Sequence, residues 1–204
     1  MNEKNELLKK IAAYTVPELC DGMEVFSAMD YQVKPWVGGE RIIGYALTVN
    51  VPVSEGAIVT DAIELAGEGD VIVIAGKGNC SSSYWGDHRS QCAKIKRVAG
   101  VVIDGAFRDI EGCREAGVSI FAKGLTCGTA GKSGAGQLNV PVSCAGVTVR
   151  PGDIIVGDLN GVCVIKPEEA QSILERTERK VTAQKRTLEE MQKTGTIIPR
   201  IIWK

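Results

Sequence analysis

Residues 98–124, "VAGVVIDGAFRDIEGCREAGVSIFAKG", decide the fold. An apolar, β-branched run at 98–104 is followed by a short helix-forming segment at 110–117, closed by Gly117, and then by a second apolar run at 118–124. Strand, helix and strand in that order imply parallel strands joined by a crossover helix. Outward from this stretch the alternation continues. Asp70 precedes the apolar strand "VIVIAG" at 71–76, a glycine and serine loop follows at 76–86, and a helix is expected from Asp87 to about Arg97. Further upstream, "RIIGYALTVNV" (41–51) reads as a long strand and "AIVTDAIELA" (57–66) as a helix. The centre of the chain is α/β by pattern.

The two ends differ from the centre. Residues 3–14 carry apolar positions at helical spacing, and Val16-Pro17-Glu18 opens a second helix with proline in its first turn. Beyond residue 125 come glycine-rich turns and short strands. Residues 167–193 form a charged helix whose apolar stripe, Ile173, Leu174, Val181, Leu188 and Met191, is thin. A helix so polar either reaches a neighbouring subunit or lies on its own domain, and the tail "GTIIPRIIWK" (195–204) needs shelter. One domain over 1–204 is expected, with a core at 16–166 and the segment 167–204 placed between subunits.

Charge and cysteine content exclude several classes. With 24 Lys and Arg against 25 acids, the net charge of -1 leaves no basic footprint for nucleic acid. The first twenty residues mix both charge signs without a long apolar segment, so no signal peptide or membrane span is expected and the chain reads as cytoplasmic. Cysteines 20, 80, 92, 113, 127, 144 and 163 are odd in number and contain no C-x-x-C pair. They form neither a disulfide framework nor a zinc site, and most read as small buried hydrophobes.

The loops at 76–86 and 104–109 follow consecutive strands and open on one sheet edge if those strands are neighbours. The first ends in Gly86-Asp87-His88-Arg89 at a helix start, where N–H groups of 87–89 suit a carboxylate or oxyanion. The second offers Arg108, whose planar fork suits a carboxylate, and Asp109, a hard oxygen ligand for Mg or Mn. Arg108-Asp109 reads equally as a structural ion pair, with Asp109 as a helix cap, and Asp104 as a loop-structuring residue. His88 is either an acid or base of the site or a partly exposed helix-start histidine. Together, two carboxylates, an arginine and helix-start amides suit a metal-chelated oxoacid.

These residues match a known pattern. The runs "GDVIVIAGKGN" and "YWGDHRSQCAKIKRVAGVVIDGAFRD", continued by "GVTVRPGDIIVGDLNGVCVIKPEEA", resemble the RraA-like family over roughly residues 16–192. That family includes class II 4-hydroxy-4-methyl-2-oxoglutarate aldolases and regulators of ribonuclease E activity. Its specific mark is a glycine about twenty residues ahead of an Arg-Asp pair, here Gly86 and Arg108-Asp109. The resemblance implies a ββα swivelling-domain fold with N-terminal helices and a long C-terminal helix, assembled as a homotrimer or hexamer with sites between subunits. It implies a divalent metal, Mg or Mn, held by Asp109 and through water by Asp87, with Arg108 on the keto oxygen of a pyruvyl group. The implied reaction cleaves 4-hydroxy-2-oxoacids to pyruvate and, through the same enolate, decarboxylates oxaloacetate.

Three departures stand beside the match. Gly112 occupies the place, three residues after Asp109, where many aldolase relatives carry an acid, and Glu111 lies one place earlier. His88 and Arg89 replace two residues that are commonly apolar, implying a more polar, cationic wall at the substrate's distal end. A further acid often comes from a neighbour's C-terminal helix; here Gln184 aligns with it, Glu178 is near, and Asp21 is an N-terminal candidate. The competing readings are a non-catalytic regulator that docks on a ribonuclease, and a Schiff-base aldolase using Lys77 or Lys123. Regulator-type members tend to carry glutamine after the arginine, whereas this chain keeps Asp109.

Overall fold

Apolar runs separated by short helical segments fold here as a mainly parallel sheet with crossover helices. The structure, a computed structural model, describes residues 3–39 and 41–201. In chain order the elements are α1 (Glu3–Ala12), α2 (Val16–Gly22), β1 (Lys34–Val37), β2 (Ile42–Asn50), α3 (Ile58–Leu65), β3 (Val71–Ser83), α4 (Asp87–Ile95) and β4 (Gly100–Phe107). They continue as α5 (Ile110–Ala116), β5 (Ser119–Leu125), β6 (Gln137–Leu138), β7 (Val142–Cys144), β8 (Val147–Val149), β9 (Ile154–Asp158), β10 (Gly161–Ile165) and α6 (Ala170–Thr194). Two compact units result: Ser27–Pro167, and the helices before and after it.

The larger unit carries the sheet, in the order β1-β5-β4-β3-β2-β9-β10, with β6 on the far half of β2. Strands β2 to β5 run parallel, while β1 and β9 add antiparallel margins. All eight residues of β4 are buried, which is why its first half, Gly100 to Ile103, is a continuous apolar run rather than an alternating one. Side chains still alternate between faces. Ile72, Ile74, Ile103 and Ile120 pack with α3, α4 and α5, and Val71, Val73, Val102 and Phe121 pack with Val142, Cys144 and Val149 of the β7–β8 hairpin. Removing each such side chain from water contributes about 1.5–3 kcal/mol, so the central strands are fixed and their ends can carry polar groups.

The α/β expectation holds, with three differences in detail. The glycine and serine loop expected at 76–86 is largely strand: Lys77 and Gly78 take left-handed backbone (φ 58 and 72), and β3 then resumes pairing at Asn79 and Ser83. β4 runs on to buried Phe107, so Asp104 does not structure a loop; it is buried in the strand with its carboxylate 2.9 Å from Lys123 Nζ. Only Cys113, Cys144 and Cys163 are buried, whereas Cys80 and Cys127 are exposed, because both lie past the buried segments of β3 and β5.

In the helical unit, Thr15 and Glu18 close a capping box at the start of α2: the Glu18 N–H donates to Thr15 Oγ1 and the Thr15 N–H to Glu18 Oε2 at 2.7 Å. α2 packs on α6, where Thr177 Oγ1 donates to the Glu18 carbonyl and Arg176 Nε to the Gly22 carbonyl. The buried face of α6 is Ile173, Leu174, Thr177, Ala183 and Thr187. The expected stripe is corrected in its second half, since Leu188 is exposed. Thr187 can be buried because its hydroxyl donates within the helix to the Ala183 carbonyl at 2.8 Å. The expected apolar tail is described only as far as Ile201. Among the described residues no helix is long and apolar enough to cross a membrane.

Candidate active site

β3 and β4 are hydrogen-bonded neighbours, so the residues that follow them meet at one edge. The Tyr84 N–H donates to the Ala106 carbonyl and the Arg108 N–H to the Trp85 carbonyl at 3.0 Å, zipping the two strand exits together. Beneath them lies a buried relay. Trp85 Nε1 donates to Ser90 Oγ (2.8 Å), Ser90 Oγ to Cys113 Sγ (3.4 Å), and the Cys113 thiol to the Arg108 carbonyl (3.4 Å). Burial, and then the nearby Asp87 and Asp109 charges, push the Cys113 thiol pKa up against the lowering effect of Ser90, which keeps it a donor. Cys113 therefore supports the site and does not serve as a thiolate.

Above this floor is a cleft of about 230 Å³ lined by Gly86, Asp87, His88, Arg89, Arg108 and Asp109, together with Thr60, Thr129 and Lys132. Asp109 takes left-handed backbone (φ 57) and makes no side-chain cap to α5, so the capping role is corrected. Its Oδ2 instead lies 3.0 Å from Arg108 Nε. Gly86 leaves room for this pair: a Cβ there would lie 2.8 Å from Asp109 Oδ2 and would displace that carboxylate. Gly112 has the same role on the other side, since its Cβ would lie 2.6 Å from the Asp87 Cβ. The place where relatives' acid was expected is thus closed off by Asp87 itself.

The remaining wall residues divide in role. The His88 N–H is taken by Asp87 Oδ1 at 2.6 Å, so this helix-start amide is already engaged. The His88 ring is exposed and sits 3.9 Å from Cys92 Sγ. Arg89 donates from Nη1 to the Tyr84 carbonyl (2.7 Å) and from Nη2 to the Gly56 carbonyl (2.6 Å). Burial, and then the Arg108 charge, lower its pKa from the ordinary arginine value. Asp21, Glu178 and Gln184 all belong to the helical unit. Asp21 pairs with Lys180 at 2.6 Å and, with Glu178, borders a groove lined by Arg176, Arg179 and Arg186; Gln184 is exposed outside that lining. Thr129 and Lys132 were not anticipated. The available signal was a lysine inside the glycine-rich "GTAGKSGAG" (128–136), but what brings it to the cleft is pairing between Ser83 and Thr129.

Neither lysine proposed for a Schiff base lines this cleft. Lys77 and Lys123 border a different depression with Asp104 and Ser143. Burial alone would lower the Lys123 pKa, but Asp104 and Asp30 outweigh it and the net direction is upward, which holds Lys123 as an ammonium rather than a nucleophile.

The sequence matches the family described as RraA-like, Aldolase/RraA, over residues 16–164. The chain belongs to the RraA-like family. A protein of Halalkalibacterium halodurans named "Putative 4-hydroxy-4-methyl-2-oxoglutarate aldolase" is 38% identical over 168 residues, covering 81% of this chain and 80% of that one. The solved structure of the RNA-processing inhibitor RraA from Thermus thermophilis has a TM-score of 0.64 at 31% identity, over 68% of this chain and 84% of its own. Streptomyces coelicolor RraAS2, described as an unusual member of the RNase ES inhibitor RraA family, reaches a TM-score of 0.79 at 25% identity, over 96% and 100%. The RraA-like fold and family expected from Gly86 and Arg108-Asp109 are borne out, and aldolase and RNA-processing inhibitor both stand among the relatives' names.

Proposed function

We propose that this RraA-like chain is a divalent-metal-dependent, pyruvate-forming lyase that cleaves 4-hydroxy-4-methyl-2-oxoglutarate-type acids and decarboxylates oxaloacetate. One observation carries the reading: Arg108 and Asp109 are paired at 3.0 Å on a left-handed turn, beside Asp87, in a cleft that Gly86 keeps open. Among the described residues no third His, Cys, Asp or Glu joins these carboxylates in a cluster. That donor set fits Mg or Mn, which bind through one or two carboxylates and complete their shells with water and substrate oxygens. Asp109 would hold the ion directly and Asp87 through water. When bound, the ion supplies Lewis-acid stabilisation to an oxygen that gains charge.

The chain's own groups account for the rest. With Nε committed to Asp109, the terminal nitrogens of Arg108 donate to the C2 keto oxygen, where charge collects as the C3–C4 bond breaks. Asp87 orients a water that accepts the C4 hydroxyl proton in aldol cleavage. In oxaloacetate the same bond electrons are released by loss of carbon dioxide, and no base is needed. Lys132 adds positive charge at the cleft for a second carboxylate, and a homotrimeric or hexameric assembly would let Asp21 or Glu178 approach a neighbour's site.

The alternative, a non-catalytic protein that binds a ribonuclease, is supported by the likeness to the Thermus inhibitor. Pyruvate release separates the two. The expected result is release from either substrate with Mg or Mn, its loss in EDTA, and a fall of about 10²-fold or more for Arg108→Lys, which cannot reproduce the guanidinium fork. Full activity in EDTA, or none with any metal, overturns the proposal.

A further inference from the structure

Arg89 lines the cleft, yet its guanidinium is engaged with backbone carbonyls from two separate segments, at Tyr84 and Gly56. The Gly56 segment is in turn stitched to a third. The Gly56 N–H donates to the Gly131 carbonyl (3.2 Å), the Gly131 N–H to the Ser54 carbonyl (2.6 Å), and the Ser133 N–H to Glu55 Oε2 (3.1 Å). This third segment, 129–133, is irregular backbone that carries Thr129 and Lys132 into the cleft. A single side chain therefore connects the start of α4, through residues 54–56, to the far wall of the site.

We infer that Arg89 is a positioning residue: it clasps residues 54–56 against Tyr84 at the exit of β3 and, beside the Ser83–Thr129 pairing, holds the 129–133 wall, with Lys132, in place. Its consequence for catalysis rests on the lyase reading, whereas the clasp stands on geometry alone. Charge-assisted hydrogen bonds are about twice as strong as neutral ones, so two of them to carbonyls stiffen a loop that has no strand ladder of its own. An arginine is needed because its fork spans two diverging acceptors with one rigid plane. This differs from the substrate-facing role that sequence assigned to Arg89, and the two roles differ in whether the losses at Arg89 and Lys132 add.

The test is Arg89→Gln in the full-length protein, read by amide hydrogen exchange and by oxaloacetate kinetics. Exchange in 54–56 and 129–133 should quicken by about tenfold or more, as loss of a charge-assisted bond implies, while β2 to β5 keep their protection. In kinetics, Lys132→Met should raise KM through loss of the cation at the second carboxylate, Arg89→Gln should raise it similarly, and the double variant should be no worse than the more impaired single one. Unchanged exchange at 129–133 overturns the clasp. Additive losses in the double variant overturn positioning in favour of an independent substrate contact by Arg89. If the unsubstituted protein releases no pyruvate, the lyase reading has failed and exchange alone decides the clasp. Should Arg89→Gln not fold, Arg89→Lys keeps the charge and stem without the bridge; quickened exchange in it supports the clasp and native exchange overturns it.

Discussion

Asp87 and Gly112 sit one at the start of α4 and one in the first turn of α5, and each limits what the other can be. A side chain at 112 has no room while the Asp87 Cβ occupies its space, 2.6 Å from where a new Cβ would fall. The absence of an acid at 112 is therefore coupled to the placement of Asp87. Gly112→Ala should push Asp87 aside and raise the Mg concentration for half-maximal pyruvate release by about tenfold, since overpacking costs ~1–3 kcal/mol. Circular dichroism should show an unchanged fold, and an unchanged Mg requirement would remove Asp87 from metal binding. That Gly86, Asp87, Arg108 and Asp109 meet in one cleft was readable in sequence because neighbours in sequence stay neighbours at a strand exit. The meaning of Gly112 was not, because the atom that excludes a side chain there comes from another helix.

Elements were legible where burial is uniform and less so where backbone conformation changes locally. β4 announces itself as an apolar run, but its last residues, Asp104 to Phe107, resemble a loop until the salt bridge to Lys123 and the burial of Phe107 are known. β3 looks finished at Gly76, yet two left-handed residues let it turn and continue. In the helical unit, Gly22 sits at the end of α2 as if it were only a stop signal. Substituting alanine for a helical glycine ordinarily stabilises by about 1 kcal/mol. Here a Cβ would lie 2.7 Å from the Ile173 carbonyl oxygen and overlap Thr177 Oγ1, so contact outweighs propensity. Gly22→Ala should destabilise the α2–α6 packing by about 2 kcal/mol in urea unfolding followed by helical ellipticity. A stabilised variant would show that the two helices can separate without loss.

At the scale of the sheet unit, Lys123 binds three separated parts of the chain: its Nζ lies 2.9 Å from Asp104 on β4 and 3.2 Å from Asp30, ahead of β1. Nothing local in sequence pairs these residues, so the triad was invisible before the topology placed β5 between β1 and β4. Its pH dependence has a definite sign at each end. The Lys123 pKa is raised, so its contribution is complete below the ordinary lysine range, near pH 10, and fades as pH rises through the raised value. The Asp30 pKa is lowered, first by the Gln32 N–H and, against burial, by Lys123, so its contribution is complete above the ordinary carboxylate range and fades as pH falls through the lowered value. Lys123→Met leaves the buried Asp104 carboxylate without its cation and should cost about 3 kcal/mol at neutral pH. The gap between the two proteins should begin to narrow above about pH 10, where the unfolded chain loses the ammonium, and close as pH rises through the raised value of the folded protein. Urea unfolding across that range measures both, and a gap that stays constant into strong alkali would mean that packing of the lysine stem, rather than its charge, holds β4, β5 and the segment ahead of β1 together.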